Sequence, residues 1–101
     1  QITTFTISSK TALTGSAPTF ATVGTSSAQA VASNTSRKGL VLVNTSNTTI
    51  CVGIGQTAVL NSGITLFPRG VWSMDEYSYS TQAINAIAAA ASSNLAVQEL
   101  T

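Results

Sequence analysis

The side chains able to do chemistry are few. Carboxylates stand at Asp75, Glu76 and Glu99, the one thiol is Cys51, and the cations are Lys10, Arg37, Lys38 and Arg69. The chain holds no histidine, which removes the commonest general base and metal ligand. Asp75 and Glu76 are adjacent, but neighbours on a strand point to opposite faces and cannot flank one bond. They read as solubilising charges at a strand end, and no partner for Glu99 is identifiable in the sequence. So small a set of oxygens does not make a site for a hard cation, so neither a metal nor a cofactor is expected. Cys51 lies between Ile50 and Val52, with no imidazole to take its proton. It reads as a small buried hydrophobe, and an unpaired thiol agrees with assembly in a reducing cytoplasm. The expectation is a protein that is not an enzyme.

Recognition chemistry remains. Arg37 and Lys38 are adjacent cations ahead of the strongest strand, and Arg69 sits at a turn tip; as surface residues they would meet a partner's polar groups, since arginine grips carboxylates bidentately. Trp72, Tyr77 and Tyr79 form an aromatic group of the type enriched at binding hot spots, with core packing the equal reading for Trp72. Near the N-terminus Phe5 and Ile7 alternate with Thr4, Thr6 and Ser8, after Ile2. That pattern makes residues 2–9 a strand-like arm able to pair with another sheet, and puts Ile2, Thr4, Phe5 and Ile7 among the interface candidates. A net charge of +1 offers no basic stripe for nucleic acid. No apolar run approaches the ~18 residues of a membrane span, and the first residues lack the features of a secretory leader. Neither nucleic acid nor membrane is an expected partner. Three Asn-x-Ser/Thr triplets begin at Asn34, Asn44 and Asn47; they serve better as turn markers than as glycan acceptors.

Positioning these groups falls to short strands. With 44% hydrophobic and 7% charged residues, against a usual charged share of about 25%, the surface must be built from neutral polar groups. Sixteen Thr, 14 Ser, 6 Asn and 5 Gln supply them, which suits a β-rich domain. In residues 1–36 large apolar groups are sparse. Short strands are expected around 20–23 and 28–33, with a flexible arm the competing reading for all that precedes Thr35. Residues 40–43, Leu-Val-Leu-Val, fill both parities like a strand buried on both faces. Residues 44–47 are turn chemistry and 48–54 return, so 40–54 is expected to be a hairpin. Gly53 and Gly55 point to a bulge or a close backbone approach. Residues 64–67 and 71–75, joined by Pro68-Arg69-Gly70, make a second expected hairpin. The alanine-rich residues 83–91 fit a helix by propensity, yet Ser92-Ser93-Asn94 interrupts after ten residues, and strand, turn, strand is the favoured reading. Six to eight short strands at this turn spacing predict an all-β fold, a small β-sandwich or jelly-roll-like domain with an extended N-terminal arm. One domain is expected, with 1–36 as arm and first short strands and 37–101 as sandwich core. A surface with so few charges is cheap to desolvate against another protein, which favours an assembly subunit.

The segments Arg37-Lys38-Gly39-Leu40-Val41-Leu42-Val43-Asn44, Thr49-Ile50-Cys51-Val52-Gly53, Gly63-Ile64-Thr65-Leu66-Phe67-Pro68, Ala83-Ile84-Asn85-Ala86-Ile87-Ala88 and Leu95-Ala96-Val97-Gln98-Glu99 follow a set order. In that order the chain resembles small virion proteins of tailed bacteriophages over about residues 37–99. It departs from their pattern after Pro68, where Arg69 stands in place of glycine. The resemblance implies a capsid decoration (cement) protein on the outer head surface, made in the host bacterial cytoplasm. Its implied partners are the major capsid protein and further copies of itself, as a dimer or trimer. The same type of module occurs in tail and fibre parts. The alternative is therefore a receptor- or carbohydrate-binding module of a phage tail or head fibre, with Trp72, Tyr77 and Tyr79 as the stacking platform.

Overall fold

Alternation along β3 (Gly39–Asn44) sorts its side chains by size and face. Leu40 and Leu42 are buried, while Val41 and Val43 are half-buried on the opposite face. The strand thus has one core face and one outer face, where the filled parities had pointed to burial on both. This is the period-2 geometry of a sheet in a sandwich.

A computed structural model of the chain describes residues 12–101; the expectations placed on Ile2, Thr4, Phe5 and Ile7 lie outside the described residues. Among the described residues there are eight strands and no helix. In chain order they are β1 (Thr19–Val23), β2 (Ala28–Val31), β3, β4 (Ile50–Ile54), β5 (Ile64–Leu66), β6 (Val71–Met74), β7 (Ile84–Ala88) and β8 (Ser93–Leu100). They form two antiparallel four-stranded sheets, ordered β1-β8-β3-β6 and β2-β7-β4-β5. First pairs with last, second with seventh, third with sixth and fourth with fifth. The fold class is all-β and sandwich-like, and the alanine-rich segment is strand, turn, strand, as favoured.

Both expected hairpins are corrected. β3 and β4 belong to different sheets, as do β5 and β6, so residues 45–49 and 67–70 are corners that carry the chain across the sandwich. The hairpin among the middle strands is β4–β5. Turn residues announce a reversal; they do not say whether the returning strand pairs with its predecessor or packs over it. Asn44 decides the matter here. Its wholly buried side chain donates to the Thr48 carbonyl at 2.6 Å and the Leu66 carbonyl at 2.8 Å, and its Oδ1 accepts from the Ser46 amide at 3.0 Å. A carboxamide so engaged ties the end of β3 to the other sheet.

The core lies between the sheets. Leu40, Leu42 and Leu95 from one sheet meet Ile50 and Ile84 from the other, all wholly buried, and each is worth about 1.5–3 kcal/mol. Val23 of β1 and Val31 of β2 belong to the same core, so the sandwich reaches back to Thr19 and the flexible-arm reading fails for residues 19–31. The described chain starts at one end of the sandwich. There Thr14 exchanges two backbone hydrogen bonds with Thr101, each 2.9 Å, and the Ser16 amide donates to the Glu99 carbonyl at 2.8 Å.

Candidate functional site

Arg37 is not a surface residue. Its side chain is fully buried, its Nε donates to Glu99 Oε2 at 2.7 Å, and its remaining nitrogens donate to three carbonyls: Ser80 at 3.0 Å, Gln82 at 2.8 Å and Ala32 at 2.7 Å. The guanidinium fork therefore closes one end of the sandwich, joining the β2–β3 link, the segment before β7, and β8. Only arginine presents donors in this fixed planar array. Glu99 has the partner that the sequence hid, and it also accepts from Asn34 Nδ2 at 3.3 Å. These bonds remove Arg37 from the interface candidates.

Its neighbour Lys38 is exposed, and so is Arg69. The tight reversal expected at Pro68-Arg69-Gly70 is present, with the Gly70 amide donating to the Phe67 carbonyl at 2.7 Å. Arg69 takes the third position of that turn with φ of 67°, a left-handed conformation that side chains other than glycine occupy at a cost of about 1–3 kcal/mol. The Arg69 amide also donates to the Asn44 carbonyl at 2.8 Å, and the Asn44 amide to the Gly70 carbonyl at 2.9 Å. The strained turn is thus pinned to the end of β3.

Trp72 shares the face of Leu42 and Met74 and packs against the core. Tyr77 and Tyr79 are exposed on the segment after β6. Asp75 is a turn residue: its Oδ1 accepts from the Tyr77 amide at 2.9 Å and from the Ser78 amide and hydroxyl, each at 3.1 Å.

The outer faces of the two sheets differ. Over the β2-β7-β4-β5 sheet, residues 55–63 fold back as a roof. The Asn61 amide points at Cys51 Sγ at 3.2 Å, Asn85 Nδ2 donates to the Gln56 carbonyl at 2.7 Å, and the Ala58 amide donates to Ser27 Oγ at 2.9 Å. Cys51 is wholly buried as a result, in line with its reading as a small hydrophobe. Gly53 permits the close approach read from sequence: a Cβ there would meet the Gln56 carbonyl oxygen at 2.7 Å.

The β1-β8-β3-β6 sheet carries no such roof among the described residues. Phe20 pairs with Ala96, Ala96 with Val43 and Val43 with Val71. Directly paired residues share a face, so these four form an apolar row across the whole sheet. Phe20 is 69% exposed and Val71 61%. Beside the row lies a groove of about 240 Å³ lined by Pro18, Thr19, Val41, Val43, Ala96, Val97 and Gln98. A larger hollow of about 420 Å³ lies where Leu13, Val41, Ser73 and Leu100 come together. Large apolar groups exposed as a contiguous strip mark an interaction surface. Sequence reasoning missed this row, although the alternation of Val71 and Ser73 with Trp72 and Met74 makes its parity legible. What was missing was the order of the strands, which alone brings Phe20 and Val71 into register through β8 and β3.

Among the described residues no group of three or more His, Cys, Asp or Glu side chains comes together to hold a metal ion, and no buried side-chain nitrogen or oxygen lacks a hydrogen-bond partner. No helix there is long and apolar enough to cross a membrane. No protein-family model matches the chain, and the comparison with curated proteins finds no similar sequence.

Proposed function

We propose that the chain is a structural virion protein, a capsid decoration (cement) protein that binds the outer surface of a tailed-phage head and clamps neighbouring major capsid subunits. The observation that carries this reading is the strand order. The arrangement β1-β8-β3-β6 against β2-β7-β4-β5 supports a jelly roll, an architecture shared by viral capsid and lectin domains. The motif order over residues 37–99 and the scarcity of charge add to it. A protein of this kind is not an enzyme and works as a rigid body with two or more attachments.

The apolar sheet face is one attachment surface. The second is the N-terminal arm, residues 2–9, which adds as a strand to an exposed sheet edge of the capsid or of a sister copy. Two linked contacts of modest strength raise overall avidity by about 10²–10⁴-fold over either alone. Because the protein binds the assembled shell and not loose subunits, bound copies stabilise the shell by mass action. Made in the host cytoplasm, it ends on the particle's outer surface, with the major capsid protein and further copies of itself as partners and with neither nucleic acid nor membrane.

The test is binding of the purified chain to heads stripped of it, alongside a variant lacking residues 1–9. The reading expects the intact chain to restore occupancy and heat resistance, and the shortened one to bind more weakly. Heads that take up neither protein contradict it. Glycan binding in the same preparation would favour the tail- or fibre-module alternative, whose platform is reduced to Tyr77 and Tyr79 once Trp72 faces the core.

A further inference from the structure

Three of the four edge strands are guarded and one is bare. β2 is interrupted by a bulge between Gln29 and Val31, β5 has only three residues, and β6 is bounded by Arg69 and Asp75. Bulges, shortness and charge are the devices that keep an edge from pairing with another chain. β1, Thr-Phe-Ala-Thr-Val, has none of them and consists almost wholly of strand formers. No charged residue stands between Lys10 and Arg37 or between Glu76 and Glu99, so β1, β2, β7 and β8 up to Gln98 form an uncharged flank. Ala12 and Leu13, where the described chain begins, lie beside Val41 and Ser73, towards the opposite edge of the sheet.

The bonding of β8 shows which backbone groups of β1 are free. The Asn94 and Leu100 carbonyls accept from the Thr45 and Lys38 amides at 3.1 and 2.8 Å, on the β3 side. The Glu99 carbonyl accepts from the Ser16 amide at 2.8 Å, on the β1 side. Even-numbered residues of β8 thus turn to β3 and odd-numbered ones to β1. Thr19, Ala21 and Val23, opposite Val97, Leu95 and Ser93, are the residues of β1 that bond to β8. The N–H and C=O groups of Phe20 and Thr22 point the other way, and among the described residues nothing bonds to them.

We infer that β1 pairs antiparallel with β1 of a second copy, joining two β1-β8-β3-β6 sheets into one continuous sheet. A two-fold axis perpendicular to the sheet at Ala21 sets Phe20 of each copy opposite Thr22 of the other, and every free group finds a partner. An axis at Phe20 would oppose Thr22 to Pro18, which has no N–H. An axis at Thr22 would oppose Phe20 to Gly24, whose carbonyl already accepts from the Ala88 amide at 2.8 Å. Ala21 then meets its own copy as a non-hydrogen-bonded pair, where Cα atoms approach to about 4.5 Å, and its methyl suits so close a place. Isologous contact brings like to like, and an uncharged flank meets itself without repulsion. Both Phe20–Val71 rows stay on one side of the dimer. An edge contact of this length is small, so the dimer forms with concentration. The pairing gives form to the self-association within the proposed function but uses neither capsid nor arm, so the failure of one is told from the failure of the other.

Sedimentation equilibrium of the full chain tests it, with circular dichroism confirming that each variant keeps its strands. The wild type is expected to dimerise. Thr22→Pro removes an edge N–H and no bond to β8, and is expected to raise the dissociation constant by more than about tenfold. Thr22→Lys, which places a guarding charge on the edge, has the same expected effect and serves where proline disturbs the strand. Ala21→Cys is expected to cross-link to its own copy under glutathione disulfide, because the Cα separation of that pair suits a disulfide; Cys51 is buried. A chain lacking residues 1–9 is expected to dimerise as the intact one does. A chain monomeric at millimolar concentration overturns the inference. So does a dimer indifferent to both Thr22 variants, or an Ala21→Cys dimer that does not cross-link. Loss of the dimer with residues 1–9 overturns it too and gives the β1 edge to the arm.

Discussion

Nε of Arg37 meets Glu99 Oε2 at 2.7 Å across 62 positions of sequence, with the guanidinium wholly buried and the carboxylate 22% exposed. Asn44, at the other end of β3, forms the second polar clamp, and between them the leucines of β3 pack against the opposite sheet. The sandwich is therefore fastened at both ends of one central strand, and among the described residues no buried side-chain nitrogen or oxygen lacks a partner.

Removing the first clamp should be costly. Arg37→Ala leaves Glu99 and three carbonyls without their donor, and breaking a buried pair in this way costs about 3–5 kcal/mol. Arg37→Lys recovers only part, because an ammonium cannot reach acceptors spread around a planar fork. Urea denaturation of the two variants checks both statements.

At the second clamp, Asn44→Ala should lower stability by about 2–3 kcal/mol, since two carbonyls and the Ser46 amide lose their partner. Asn44→Asp should be worse at neutral pH. It replaces the two donors with a carboxylate facing the Thr48 and Leu66 carbonyls, and a buried unpaired charge is costlier than a missing one. Thermal unfolding of the pair at one pH gives the order directly.

Arg69→Gly tests the strain held in the turn between β5 and β6. Glycine accepts the positive φ without strain, so the monomer should gain about 1 kcal/mol, less whatever entropy glycine adds to the unfolded chain. Thermal unfolding of the two proteins should show the gain, and a glycine variant no more stable than the parent would contradict strain at this turn.

The roof over Cys51 predicts a silent thiol. In the native protein a disulfide reagent should react only as fast as residues 55–63 open. Gly53→Ala should accelerate that reaction, because its Cβ displaces the Gln56 carbonyl. Equal rates in the two proteins would show that the roof does not guard the thiol.

Much of this fold was legible in the sequence, and the reason is periodicity. The alternation of Ile84, Ala86 and Ala88 with Asn85 and Ile87, and of Leu95 and Val97 with Ala96 and Gln98, places core and outer faces without reference to anything distant. Strand order was not legible, because Asn44 and Pro68 mark where the chain turns but not which sheet it enters. Arg37 was misread for the same reason. Its acceptors come from residues 32, 80, 82 and 99, and no local pattern reveals that a cation has four of them waiting. The apolar row from Phe20 to Val71 needed β8 to lie between β1 and β3, a consequence of topology alone.

Counting this chain in whole particles tests the proposed role most directly. Quantitative gel analysis of purified virions that carry it should return hundreds of copies per particle, removable without loss of the major shell. A handful of copies, or none after washing, would contradict a cement role and assign the sandwich to a tail part or to no virion at all.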